Sequence, residues 1–272
     1  RIAGDDVAMK IDNTLAAVVT GGASGLGRAS AKALADAGVK VAVFDISEEA
    51  GEAFAAEIGG VFCKVNILDE DSVEAGFAKA RAAHGQERLV VHCAVVAGGG
   101  KTVSFDKTTG GYKRMATEQI ARTAEGVFTA TYRVASIAAL GMAGTDPVSD
   151  DGERGCIIFT SSAASQDGQI GQVAYGGGKG AVNAMVLPMA RDLMDLGIRV
   201  NAILPGTFAT PPMLRVKEMN EAVYEGLGKA VPFPKRLGNP DEFASLVLEL
   251  TRNTYFNAQC IRLDGGIRMP PK

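Results

Sequence analysis

Short apolar runs, rich in β-branched residues, recur along the chain and alternate with alanine-rich stretches. The runs lie at 15–20, 39–44, 61–65, 89–93, 156–160, 198–204 and 260–264. Because they are apolar throughout, they predict strands that are buried on both faces of a parallel sheet. The intervening stretches predict helices near 25–37, 47–58, 70–84, 115–141, 172–195 and 239–252. The pattern therefore predicts an α/β fold, with one doubly wound domain over 1–272 and a parallel seven-stranded sheet.

Three segments interrupt this alternation. Residues 97–114 and 144–155 combine glycine with polar side chains, so they are predicted to be surface loops. Residues 204–240 are rich in proline and follow the sixth predicted strand. Ligands of open parallel sheets bind beyond the carboxyl ends of the strands, so this third segment is predicted to be a substrate lid.

Composition restricts the classes of partner. The chain is 47% hydrophobic and carries a formal net charge of −3, which provides no basic field for nucleic acid or an anionic membrane. A small-molecule substrate, no nucleic acid and no membrane are expected. Four widely spaced cysteines and two histidines predict no metal site. The first thirteen residues lack a basic-then-apolar signal pattern, so the expected location is the cytoplasm.

A glycine-rich turn follows the first predicted strand. Residues 20–27 read TGGASGLG and lead into a helix. Gly21, Gly25 and Gly27 allow a tight turn and close approach of a pyrophosphate to the helix N-terminus. A simple tight connection is the alternative reading. With a strand before it and a helix after it, the turn predicts a nucleotide cofactor.

The second predicted strand ends at Asp45, eighteen residues beyond Gly27. A carboxylate there can accept hydrogen bonds from both ribose hydroxyls and repels a 2′-phosphate. The two following residues, Ile46 and Ser47, offer no cation. NAD is therefore predicted over NADP. The alternative is that Asp45 or Ser47 only caps the next helix.

Tyr175 and Lys179 are four residues apart, separated only by glycines and therefore on one face of a predicted helix. A phenol in this position could act as a base, but the usual tyrosine pKa near 10 is too high for that role at neutral pH. A neighbouring ammonium, together with the positive charge of an oxidised nicotinamide, would lower this pKa, which predicts Lys179 for that task. Ser162 lies at the end of the fifth predicted strand, where the oxygen of a ligand could reach it. A solvent-exposed i, i+4 pair is the alternative.

Together, the glycine turn, Ser162, the Tyr175–Lys179 pair and Pro205-Gly206 resemble the short-chain dehydrogenase/reductase family over nearly the whole chain. Stretches such as SSAASQDGQIGQVAY and IRLDGGIRM look most like its type 2 3-hydroxyacyl-CoA dehydrogenases. The resemblance implies a Rossmann-type domain, NAD, a homotetramer, and secondary alcohols of acyl-CoA thioesters, steroids or other hydrophobic molecules as substrates.

The resemblance also implies sets of site residues. The cofactor set is Gly21, Ser24, Gly25, Leu26, Gly27, Asp45, Asn66, Ile67, Cys93, Ala94, Tyr175, Lys179, Pro205, Gly206, Thr207 and Phe208. The substrate set is Gln169, Gln172, Phe208, Met213 and Leu214. The catalytic set is Ser162, Tyr175, Lys179 and, where the family has an asparagine that holds a relay water, Thr123.

Two positions depart from the family pattern. Residues 92–95 read His-Cys-Ala-Val, so Val95 replaces a glycine and is expected to narrow the site and to disfavour a positive φ. His92 is interpreted as packed or hydrogen-bonded. Thr123 replaces the asparagine and lacks its separate donor and acceptor.

These departures leave two hypotheses open: a working NAD-dependent dehydrogenase, and a non-catalytic nucleotide-binding protein of the same fold. The intact Ser162, Tyr175 and Lys179 favour the enzyme. For its substrate, a 3-hydroxyacyl-CoA and a cyclic, terpenoid, steroid or aromatic alcohol both remain. Basic residues that could bind the phosphates of CoA, or only be solvated, are Lys101, Lys107, Lys113, Arg114, Arg215 and Lys217.

Overall fold

A computed structural model describes residues 9–271 of the chain. The first eight residues, on which the expectation of no signal sequence partly rests, lie outside the described part. The strands are β1 Ala16–Thr20, β2 Lys40–Asp45, β3 Val61–Lys64, β4 Leu89–His92, β5 Val103–Asp106, β6 Gly111–Arg114, β7 Gly155–Thr160, β8 Ile198–Pro205 and β9 Cys260–Leu263. The α-helices are α1 Gly25–Asp36, α2 Glu48–Glu57, α3 Glu70–His84, α4 Thr117–Ala124, α5 Ala130–Ala143, α6 Val173–Asp192, α7 Pro211–Met219, α8 Glu221–Lys229 and α9 Pro240–Arg252.

Seven of these strands form one sheet in the order β3-β2-β1-β4-β7-β8-β9. Every neighbouring pair is parallel, which confirms the prediction from the uniformly apolar runs. The chain order runs outward from β1 in one direction and from β4 in the other. At such a reversal the connections after the two strands leave toward opposite faces of the sheet, which opens a crevice at the carboxyl ends.

The two faces of the sheet bury separate cores. Val18 of β1 packs with Phe77 of α3 and Val134 of α5 on one face. Its neighbour Val19 packs with Leu34 of α1 on the other face, which α9 also covers. Successive side chains of a strand point to opposite faces, so only a strand apolar throughout suits both environments.

The helical run Thr117–Ala143 has the length and the mean hydropathy, 1.2, that a membrane span would need. Half of that window is buried within the molecule, as in a core helix. A π-helical turn, Glu125–Thr129, joins α4 to α5 inside the run. Such turns insert one extra residue and bend the helix locally, often beside a functional site.

The segment 97–114 is not only the predicted loop, because it contains the antiparallel hairpin β5–β6. Phe105 and Tyr112 pack edge to face across it, with ring centroids 5.6 Å apart. Lys113 and Asp106 form an ion pair at 3.1 Å. These cross-strand pairs stabilise a hairpin whose polar composition gives little strand signal.

The predicted surface loop 144–155 is exposed through most of its length, but its end is buried. Glu153 is 5% exposed and accepts a 2.7 Å hydrogen bond from Arg199 of β8. Arg199 also donates to the carbonyl oxygens of Leu250, Thr251 and Phe256 around the end of α9. The guanidinium therefore ties this loop to β8 and α9.

The proline-rich segment 204–240 carries α7 and α8 after β8. Pro211 and Pro212 occupy the first turn of α7, where a missing backbone N–H costs no hydrogen bond. The segment returns to the body of the protein through an isolated bridge between Phe208 and Gly238. It thus begins and ends beside the carboxyl end of the sheet, where the lid is predicted.

Candidate active site

A cleft of about 610 Å³ lies beyond the carboxyl ends of the central strands. Every member of the predicted cofactor set lines it, together with Ser162, Gln172 and Met213. Among the described residues that line the cleft, Asp45 is the only carboxylate and Lys179 the only cation. The sequence motifs therefore converge on one site, although they are spread over almost two hundred residues.

The glycine turn fits a bound pyrophosphate. Gly21 has a φ of +62°, and a Cβ on Gly27 would lie 2.2 Å from the carbonyl oxygen of Gly21. Within the described chain, the first turn of α1 has no acidic residue and Ser24 forms no side-chain cap. The amides of that turn are therefore available to an anion at the positive end of the helix dipole.

Asp45 is fixed between two backbone amides. Its Oδ2 accepts a 3.0 Å hydrogen bond from Ala23, and its Oδ1 accepts one of 3.0 Å from Ser47. Ser47 occupies the N-cap position of α2, but its side chain forms no capping hydrogen bond within the described residues. A carboxylate oxygen has a second lone pair, and Asp45 also faces the cleft. Both oxygens can therefore still receive ribose hydroxyls.

Lys179 is held by the last residues of β7. Its Nζ donates a 2.6 Å hydrogen bond to the carbonyl oxygen of Thr160, and its own carbonyl oxygen accepts one of 3.0 Å from Ser161 Oγ. The residue is 5% exposed, and burial lowers the pKa of its ammonium to about 8. These contacts fix α6 against β7 and keep the ammonium in the cleft.

Tyr175 lies beside this ammonium, with Lys179 Nζ 5.9 Å from the centre of its ring. The lowered pKa expected for the phenol is not found in the described chain. Burial raises the pKa of Tyr175, and a hydrogen bond with Ser162 opposes this only in part. In the protein without a nucleotide, burial thus outweighs the neighbouring ammonium, and the lowering expected from Lys179 together with the charge of a bound nicotinamide stays a prediction.

The three glycines between Tyr175 and Lys179 have different environments. A Cβ on Gly176 would lie 2.9 Å from the carbonyl oxygen of Ala164, and one on Gly178 would lie 3.2 Å from Val127. Gly177 has open space around its Cβ position. Close packing therefore accounts for the first and third glycines and not for the second.

Thr20 and His92, at the ends of β1 and β4, organise residues 92–95, the segment that departs from the family pattern. Thr20 Oγ1 accepts hydrogen bonds from the amides of Cys93, at 3.1 Å, and Ala94, at 3.2 Å. Both of its lone pairs are then used, so its proton points to His92 Nδ1 at 2.8 Å. The neutral imidazole therefore carries its proton on Nε2, which is buried without a partner in the described residues.

His92 is 2% exposed, and its pKa is lowered to about 3 by burial and by the nearby ammonium of Lys179. It is thus a packed, neutral histidine, in agreement with the sequence interpretation. Val95 lines the cleft as expected, but it is not strained. Ala258 is the one non-glycine residue with a positive φ in the described part of the chain.

Thr123 does not line the cleft. It is 1% exposed, and its Oγ1 accepts a 3.1 Å hydrogen bond from the amide of Gly98. Three residues later, Gly126 in the π turn accepts a hydrogen bond from the amide of Val96 at 3.1 Å. The threonine therefore holds the segment that follows β4, and its role in a proton relay remains a prediction.

Two members of the predicted substrate set also lie outside the cleft. Leu214 is 43% exposed on α7, whereas its neighbour Met213 faces the cleft. Gln169 instead donates a 3.0 Å hydrogen bond from Nε2 to the carbonyl oxygen of Pro270. The sequence reading missed Thr160, which holds Lys179, and Met269, which lines the cleft from near the end of the sequence.

Part of what was missed had a signal. Thr160 precedes the Ser161-Ser162 pair at the end of an apolar run, and strand ends of a parallel sheet are where ligands bind. Met269 is the last residue of the IRLDGGIRM stretch, but nothing in that stretch indicates which side chain reaches the cleft, so its place there depends on tertiary folding.

Comparisons with known proteins agree with this geometry. A family model described as short chain dehydrogenase matches residues 15–221. The 3-hydroxyacyl-CoA dehydrogenase type-2 of Drosophila melanogaster is 41% identical over 256 residues, covering 93% of this chain and 97% of that protein. The Homo sapiens protein of the same description is 39% identical over 259 residues, covering 94% and 96%.

The solved structure of 3-hydroxyacyl-CoA dehydrogenase type-2 from Mycobacterium avium superposes with a TM-score of 0.86 at 36% identity. The match covers 97% of this chain and 100% of that one. Identity at this level over whole chains, with the tyrosine, lysine and serine gathered in one cleft, decides against a non-catalytic protein. The chain belongs to the short-chain dehydrogenase family and is an oxidoreductase that interconverts an alcohol and a ketone with a nicotinamide nucleotide.

Proposed function

We propose that the protein is an NAD-dependent dehydrogenase of 3-hydroxyacyl-CoA thioesters. The preference for NAD rests on Asp45, the single described carboxylate of the cleft, with Ile46 beside it and no described cation nearby in the lining. A 2′-phosphate would meet this negative charge without compensation, whereas two ribose hydroxyls would find acceptors. The descriptions of the most similar relatives support the thioester.

The side chains around Tyr175 suit the oxidation of a secondary alcohol. The phenolic oxygen would take the hydroxyl proton, and Ser162 Oγ, 7% exposed and next to the phenol, would hold the substrate oxygen. When bound, the oxidised nucleotide supplies the hydride acceptor and a positive charge near the phenol. Lys179 keeps an ammonium in the cleft at neutral pH, since its pKa of about 8 leaves most of it protonated.

The remaining surfaces suit a thioester. The substrate end of the cleft is apolar, with Phe208, Pro212 and Met213 in its wall. Outside the cleft, the β5–β6 hairpin and the residues just before it carry Lys101, Lys107, Lys113 and Arg114. Lys113 is paired with Asp106, whereas Lys101 lines a groove that shares Gln172 with the cleft. A cation next to an apolar site suits an acyl chain with a phosphorylated carrier. An uncharged cyclic alcohol has no negative group that such a cation could bind.

The test is a steady-state comparison of 3-hydroxybutyryl-CoA with uncharged cyclic secondary alcohols, each with NAD and with NADP. We expect the thioester with NAD to give the highest kcat/KM, and Tyr175→Phe to abolish turnover while NAD affinity changes only a few-fold. Residual activity above about one-tenth of the parent would remove Tyr175 from the role of base. Preference for NADP would refute the argument from Asp45.

We also propose a homotetramer. Exposed apolar residues recur at intervals of four or eight residues along α4, the π turn and α5, namely Ile120, Phe128, Tyr132 and Leu140. Such a stripe on a long helix is typical of a surface covered by another subunit. Light scattering coupled to gel filtration tests this, and a monomer at micromolar concentration would refute it.

A further inference from the structure

The end of the IRLDGGIRM stretch, to which the sequence assigns no site residue, forms part of the cleft. Residues 267–271, which we call the strap, follow β9 and the turn at Asp264. Ile267 is buried, and Met269 lines the same cleft as Tyr175. The strap therefore contributes to the site although it lies almost a hundred residues from the catalytic tyrosine in sequence.

Charged hydrogen bonds fix the base of the strap. Arg262 donates to the carbonyl oxygen of Ile267 at 2.9 Å and to the carboxylates of Asp264, at 2.6 Å, and Asp167, at 2.5 Å. The guanidinium is mostly buried, so these bonds are shielded from water and hold their geometry. Asp167 belongs to the loop that leads to α6, and the strap is thus tied to the loop before Tyr175.

Two further hydrogen bonds fix its tip to the same loop. Gln169 Nε2 donates to the carbonyl oxygen of Pro270, and the amide of Ile170 donates to that of Pro271, both at 3.0 Å. This loop lies a few residues before Tyr175 and far along the sheet from Asp45. Met269 therefore faces the part of the cleft where the alcohol reacts, not the adenosine end.

We propose that Met269 is a specificity-determining residue that contacts the substrate chain beyond the reacting carbon, and that Gln169 is a positioning residue that holds it there. A methionine packs against chains of different shape, because its thioether is flexible and polarizable. Gln169 thus acts on specificity without touching the substrate, which accounts for its place outside the cleft. The choice of acyl thioesters as probes rests on the proposed function.

The experiment compares Met269→Ala with the parent on 3-hydroxybutyryl-CoA and 3-hydroxydecanoyl-CoA. We expect kcat/KM for the long thioester to fall about tenfold, equivalent to about 1.4 kcal/mol, mostly through KM. The value for the short thioester should stay within about twofold, as should the NAD dissociation constant. Met194→Ala is the matched control, since Met194 is 65% exposed and outside the cleft lining.

A double-mutant cycle tests the positioning role. Gln169→Ala alone should lower kcat/KM for the long thioester about threefold, and it should add nothing in the Met269→Ala background. Equal losses on both thioesters with Met269→Ala, or additive effects in the cycle, would overturn the proposal. If the parent oxidises neither thioester, the proposed function fails. In that case, kcat/KM values of the same variants for 2-butanol and 2-decanol test the roles of Met269 and Gln169 independently of the proposed function.

Discussion

Acid should destabilise this protein through His92 in particular. The imidazole is buried, neutral and hydrogen-bonded as an acceptor to Thr20, and its pKa is about 3 against an ordinary value of 6.5. In the unfolded chain the same side chain takes up a proton near pH 6.5. Because the folded pKa is the lower one, the stability due to the neutral form is complete above pH 6.5 and is lost as the pH falls toward 3.

The size of this loss follows from the two pKa values. Between pH 7 and pH 5, proton uptake by the unfolded state at this one residue should lower the free energy of unfolding by about 1.9 kcal/mol. Asparagine at position 92 keeps a side-chain acceptor for the Thr20 hydroxyl and does not titrate. His92→Asn should therefore remove this part of the pH dependence and leave the contributions of the carboxylates unchanged.

Urea unfolding of parent and variant at pH 7 and pH 5 measures the difference directly. We expect the parent to lose about 1.9 kcal/mol more than His92→Asn over this interval, with similar m-values for both. Nitrogen NMR of the parent should show the Nε2–H tautomer, with no titration of His92 over the same range. Equal pH dependence of the two proteins would refute the lowered pKa of His92, and an Nδ1–H tautomer would refute the hydrogen-bond assignment at Thr20.

Four further substitutions test the packing near the site and at the buried ion pair of Arg199. Gly177→Ala should raise the free energy of unfolding by up to about 1 kcal/mol. Gly176→Ala should lower it, because the carbonyl oxygen of Ala164 lies 2.9 Å from that Cβ position. Thermal unfolding measures both variants, and equal shifts in the two would contradict the different environments of the two glycines. Thr123→Val should cost about 1–3 kcal/mol in urea unfolding by leaving a backbone amide without its acceptor, and no loss would show that water replaces the hydroxyl. Arg199→Met should cost about 3–5 kcal/mol because it leaves the Glu153 carboxylate buried without its cation, and a neutral effect would contradict the importance of the pair.

The sequence predicted the sheet and the cofactor residues for the same physical reason. Buried parallel strands must be apolar throughout, and the residues that follow them gather at one edge of the sheet. Gly21, Asp45 and Ser162 could therefore be assigned to one site from their places at the carboxyl ends of β1, β2 and β7. To assign each of these residues, it is enough to know which apolar run it ends or follows.

What could not be predicted depends on contacts between distant segments. Met269 enters the cleft because Gln169 and Ile170 form hydrogen bonds with the backbone next to it. The partners in these bonds are about a hundred residues apart in the sequence, so no local sequence pattern reveals them. The pKa of Tyr175 depends on how deeply the phenol is buried, which the spacing to Lys179 does not reveal. The β5–β6 hairpin depends on cross-strand pairs, whose partners are known only once the turn is known.

The hydrogen bonds that Arg199 makes with Glu153 and with the end of α9 determine where the chain tolerates an insertion. Asp146 and Val148 are tied to Arg88 and Glu153, but Asp150 and Asp151 are exposed, and a peptide tag inserted between them would open only the turn from Ser149 to Gly152. Two residues further on, Glu153 enters the interior and shares a guanidinium with the end of α9. One connecting segment thus contains both a permissive insertion point and a position where lengthening the chain by a single residue would pull a charge out of its buried pair.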